Sequence, residues 1–110
     1  MIQYTTPTIS LTVEGVDLTS QEVYVSLEQG TTELTKSGTA LTLDAETIGR
    51  TTNTNISFVM SQEESASFRY NLPVNIQVNW INASGVRSAT EIKSIPVMKN
   101  LLDEVIAYGG

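Results

Sequence analysis

The sequence predicts an all-β protein, an antiparallel immunoglobulin-like β-sandwich of about seven strands. Three observations carry that prediction. Fifteen Thr, ten Val and nine Ile stand among 110 residues, and β-branched side chains keep few helical rotamers while packing well on a pleated surface. Apolar residues recur at every second position in several short stretches, the period of a strand with one dry and one wet face. Turn residues rich in Gly, Asn and Asp separate those stretches at roughly eight-to-twelve-residue intervals, the spacing of a sandwich. A chain of this length makes one domain and can bury about two-thirds of its unfolded surface, enough for a single two-layer core.

Residues 1–7 read as an extended arm stiffened by Pro7. Ile9, Leu11 and Val13 then share one face of a strand that Gly15-Val16-Asp17 ends. Val23, Val25 and Leu27 alternate with Glu22, Tyr24, Ser26 and Glu28 in a clearer one. Gln29-Gly30-Thr31 is a turn, Glu33 to Lys36 returns as a short strand, and Ser37-Gly38 turns again before Leu41 and Leu43. Residues 44–55 contain one sizeable apolar side chain, Ile48, and read as a polar loop or a weakly held edge segment.

Ile56, Phe58 and Met60 resume the alternation. Ser61-Gln62-Glu63-Glu64 matches a capping box, in which the first serine and the fourth-position glutamate satisfy each other's backbone amides. One helical turn over 62–67 is expected there, with Ala66 and Phe68 facing inward. Val74, Ile76, Val78 and Trp80 form the strongest alternation, and Asn82-Ala83-Ser84-Gly85 is a hairpin loop with Gly late. The returning strand, Val86 to about Pro96, mixes its phase because Ile92 and Ile95 fall on opposite faces, which suggests a bulge or cover on both sides. Pairing should lapse at Pro96, which cannot donate to a ladder. Val23, Val25, Leu27, Phe58, Val74, Ile76, Val78 and Trp80 are the expected core, with Phe68 closing one end.

The composition removes several kinds of chemistry. With no Cys and no His, there are no disulfides, Cys/His zinc sites or imidazole bases, and no serine has a histidine to activate it. Glu63-Glu64 and Asp103-Glu104 are neighbours in sequence, so neither pair converges on one point as acid/base work requires. Asp44 and Glu46 offer two ligands where calcium wants six to eight oxygens. The expectation is a non-enzyme with no catalytic residue, cofactor or metal. Six basic against twelve acidic residues give a net charge of −6, the wrong sign for releasing counterions from nucleic acid. No apolar run approaches the ~20 residues of a membrane helix, and Met1 to Pro7 has no signal-peptide pattern. Synthesis and assembly in a cytoplasm, away from nucleic acid and membrane, are expected.

One stretch lacks an obvious place in the core. After a sandwich domain over 1–98, residues 99–110 form an amphipathic C-terminal segment. Asn100 is a good N-cap, Asp103 and Glu104 suit a first turn and Gly109 a stop, so the pattern allows a short C-terminal helix. Leu101, Leu102, Val105, Ile106 and Tyr108 would line one face of it. So short a helix does not persist alone in water. The face must cover an open end of its own sandwich or dock on a partner, and these five residues are the candidate partner-docking set.

Tyr4-Thr5-Thr6-Pro7-Thr8, Val23 to Gly30, Met60 to Phe68, Val74 to Trp80 and Asn100 to Ile106, taken in order, resemble small proteins from the virion gene clusters of tailed phages and prophages of gut Gram-positive bacteria. The resemblance spans nearly the whole chain and rests on turn and strand patterns, without a catalytic signature. It implies a structural or assembly component of the virion, in the tail or head–tail region, built on an immunoglobulin-like sandwich. Its partners would be other virion proteins or copies of itself, as a homo-oligomer. The polar stretch 44–55 departs from the compact hairpin expected of such a protein. The alternative from a different class is a carbohydrate- or surface-binding module, for which the sequence shows no exposed aromatic cluster.

Overall fold

The computed structural model describes residues 1–109. Its strands are β1 (Thr8–Val13), β2 (Glu22–Gln29), β3 (Thr32–Ser37), β4 (Thr42–Ile48), β5 (Thr51–Val59), β6 (Val74–Ile81), β7 (Arg87–Ala89) and β8 (Lys93–Ile95). All pair antiparallel, in one sheet of order β1-β5-β4 and a second of order β3-β2-β6-β7, with β8 also on β6. The chain changes sheet between β1 and β2, β3 and β4, and β5 and β6, the Greek-key connectivity of immunoglobulin-like sandwiches. This is the all-β sandwich that the alternation predicts.

The core lies between the sheets. Val13, Ile56 and Phe58 meet Val23, Val25, Leu27, Val74, Ile76 and Val78, and Leu18, Leu41, Met60, Phe68 and Val97 complete the cluster from outside the strands. Every expected core residue is buried except Trp80, which is half-buried. Trp80 opposes Val23 across the β2–β6 ladder, so its inward phase is as expected. It lies along the seam where the two sheets part, beside a cleft of about 480 Å³ that Leu11, Val13 and Lys93 also line.

Helix α1 (Gln62–Ala66) is one residue shorter than the expected turn and carries the capping box in full. The Glu64 amide donates to Ser61 Oγ at 3.1 Å, and the Ser61 amide donates to Glu64 Oε1 at 2.8 Å. Phe68 is fully buried just beyond it, while Ala66 is half-buried and Ser65 takes the buried place. Ser65 Oγ donates to the Thr5 carbonyl at 2.8 Å, tying the helix to the N-terminal arm.

Three expectations change. Residues 44–55 are not a loop: β4 and β5 form a hairpin closed by Gly49-Arg50. Gly49 takes a φ of 64°, the left-handed value that a two-residue hairpin turn requires at its first central position. The edge alternative is nearer, because β4 is the outer strand of its sheet. The returning strand divides into β7 and β8, and its register on β6 steps by one residue between them. That step is the bulge which the mixed phase suggested. The short C-terminal helix does not form, and residues 99–109 are irregular. The N-terminal arm, meanwhile, is held by pairing, through a parallel bridge between Ile2 and Met98.

Candidate docking surface

Leu101, Leu102, Val105, Ile106 and Tyr108 are all exposed, Leu101 and Tyr108 almost completely. The segment does not cover an open end of its own sandwich. Its attachments are polar. The Gln62 side chain clamps the Ile106 backbone, accepting from its amide at 2.8 Å and donating to its carbonyl at 2.7 Å. Asn100 Nδ2 donates to the Gln3 carbonyl at 3.0 Å.

These bonds explain the missing helix. Asn100 makes the bond expected of an N-cap, accepting from the Leu102 amide at 3.1 Å. In a helix, however, the Ile106 amide would turn back to the Leu102 carbonyl. Here it points to Gln62, and the turn begun at Asn100 does not propagate. A helix this short gains little from its own bonds, so one side-chain amide can outcompete it.

Beside the root of this segment lies a concavity of about 370 Å³ that sequence reasoning missed. Tyr4, Arg69, Tyr70, Asn71, Lys99 and Asp103 are among its lining residues. They come from three separated stretches, and the arm's pairing with Met98 brings them together. Side-chain amides fix the walls. Buried Gln29 accepts from the Arg69 amide at 2.6 Å and donates to the carbonyls of Arg69 and Leu72, each at 2.8 Å. Gln3 donates to the Phe68 carbonyl at 2.6 Å. Lys99 Nζ lies 5.7 Å from the centre of the Tyr70 ring, within cation–π range. Tyr4 has a φ of 61°, an uncommon value for a side-chain-bearing residue.

Charge elsewhere is largely solvated. Asp44 and Glu46 lie exposed on the outer face of β4, with Asn55 Nδ2 3.4 Å from Glu46 Oε2. Among the described residues, no group of three potential His, Cys, Asp or Glu ligands comes together around a metal position. The one ion pair found there joins Lys36 Nζ to Glu64 Oε2 at 2.8 Å. Burial pushes the Glu64 carboxyl up, but the Lys36 ammonium and the Ser61 cap outweigh it and hold the pKa below 4.5. Asp17 is likewise lowered by hydrogen bonds from the Thr19 hydroxyl and amide. Neither carboxylate has the raised pKa of a general acid. No described helix is long and apolar enough to cross a membrane.

With the sandwich and this surface defined, comparison with known proteins finds no matching family model, curated protein or solved structure.

Proposed function

We propose that this protein is a non-enzymatic assembly component that works by packing against copies of itself or a neighbouring protein. A structural role in a phage or prophage virion is the form of this reading that the sequence resemblance favours. The observation that carries it is the C-terminal segment. Five large apolar side chains stay in water while their backbone is held by Gln62 and Asn100. Large apolar side chains concentrated in one short exposed segment support an interaction role.

Removing residues 101–110 tests the reading. The truncated chain should retain its cooperative melt, because none of the described residues 101–109 belongs to the core cluster. Light scattering should show that self-association, or binding to a virion partner, is lost. A truncated chain that assembles like the full one would overturn the assignment of docking to this segment.

A further inference from the structure

The molecule has two opposite ends, and their charges are complementary. The β4–β5 hairpin forms one end: Ala45 to Thr51 are exposed throughout, and Ile48 at the tip is 62% exposed. From that tip β5 runs nine residues, roughly 30 Å at 3.3–3.4 Å each. The chain then enters α1 and reaches Arg69 and Tyr70 in the concavity described above. The longest dimension of the molecule is 47 Å, so hairpin tip and concavity lie far apart along it.

The concavity carries Arg69 and Lys99 against one acid, Asp103. This is a concentration of positive charge in a chain with six basic residues and a net charge of −6. Neither cation is within ion-pair distance of a carboxylate among the described residues. The hairpin carries the mirror image: Asp44 and Glu46 on one face of β4, and Arg50 in the turn. Exposed Ile48 has its own counterpart in Leu101 and Leu102, which follow the Lys99–Asn100 wall.

We infer that the Arg69–Lys99 concavity is a receptor for the β4–β5 hairpin of a second copy of this chain. Asp44 and Glu46 of one copy face Arg69 and Lys99 of the next, and Arg50 faces Asp103. The two partners use different patches, so the contact is heterologous and builds a ring or a filament. Complementary charge fixes the register, and the apolar contact beside it supplies the buried area. The walls are already held by Gln29, Gln3 and Asn100, so little of the receptor has to be ordered on binding. This inference rests on the assembly reading above and names its partner.

Sedimentation equilibrium on the full-length protein, at low and physiological salt, tests it with two variants. One is Arg69→Glu with Lys99→Glu, and the other is Asp44→Lys with Glu46→Lys. All four positions are exposed, so matching thermal melts should confirm intact folding. Wild-type mass should rise with concentration, and more steeply at low salt. Each variant alone should weaken association at least ~10-fold, since like charges then face each other. An equimolar mixture should recover association, because the native hairpin of one variant meets the native receptor of the other and the reversed hairpin meets the reversed receptor, and the two variants should grow in alternation. All four reversals in one chain should restore growth.

A wild type that stays monomeric, or variants that associate like it, would overturn the pairing. So would a mixture no better than its components. Loss of assembly on truncation at Asn100, with the charge variants unaffected, would sink this pairing and leave the assembly reading standing. Oligogalacturonate bound by monomeric wild type and refused by Arg69→Glu/Lys99→Glu would make the concavity a saccharide site instead.

Discussion

Strand β6 and the C-terminal segment carry the same apolar load and meet opposite fates. Val74, Ile76, Val78, Trp80 and Ile81 are five large apolar residues, as are Leu101, Leu102, Val105, Ile106 and Tyr108. In β6, alternation puts four of them on one face, with β2 on one side to share the ladder and the opposite sheet as cover. In the C-terminal segment the spacing is that of a helix, and no surface of this molecule receives a helix there. Hydrophobicity alone does not bury a segment. Burial needs a period that matches an available partner, and where the chain supplies none, the apolar side chains stay exposed.

The sharpest way to break this comparison is to truncate one residue from each class. Phe68→Ala removes a fully buried ring and should cost about 3–5 kcal/mol in a urea or thermal melt. Leu101→Ala, at 95% exposure, should stay within about 0.5 kcal/mol of wild type. Equal losses would mean that the segment is core in solution and that the contrast is false.

Replacing Gln29 by Ala should have the next largest effect. It strips partners from the Arg69 amide and from the carbonyls of Arg69 and Leu72, costing about 1–3 kcal/mol. Amide exchange at Arg69 should accelerate more than that in β6. Unchanged exchange there would show that the loop is held by other means.

The smallest effect concerns the Lys36–Glu64 pair, which joins β3 to α1. Because the folded carboxyl sits below 4.5, its contribution is present above that pH and lost as pH falls through the folded value. Lys36→Met should therefore lie below wild type by at most about 1 kcal/mol at pH 7. The gap should narrow below pH 4.5, and a gap that widened in acid would contradict the sign of the shift.

What the sequence made legible follows from what each element buries. The strands β2 and β6 were readable because their inward positions are Val, Leu and Ile. The capping box was readable because Ser61 and Glu64 need only local spacing. The β4–β5 hairpin was not, because Ala45, Thr47 and Thr54 occupy inward-phase positions that large apolar residues usually mark. Thr54 is fully buried for a polar reason: its hydroxyl accepts from the Leu18 amide and donates to the Val16 carbonyl, catching the crossing chain. The C-terminal residues were legible as a docking candidate but not as an irregular segment, since the competing partner is a glutamine in a distant helix. The Arg69–Lys99 concavity left no local signal at all. Its walls are joined by the pairing of Ile2 with Met98 and by Gln3, which bonds the Phe68 carbonyl and Asn100, contacts between stretches far apart in the chain.

The one-residue step between β7 and β8 has a bearing on solubility. Beyond the step, Lys93 opposes Ile76 and so occupies the core-side phase of the outermost strand while staying exposed. A kinked edge with a charge in that phase is a poor template for an incoming strand. Were such an edge straight and apolar, a crowded population of these sandwiches could zip together side by side into amyloid-like stacks. The interrupted edge closes that route along β7 and β8.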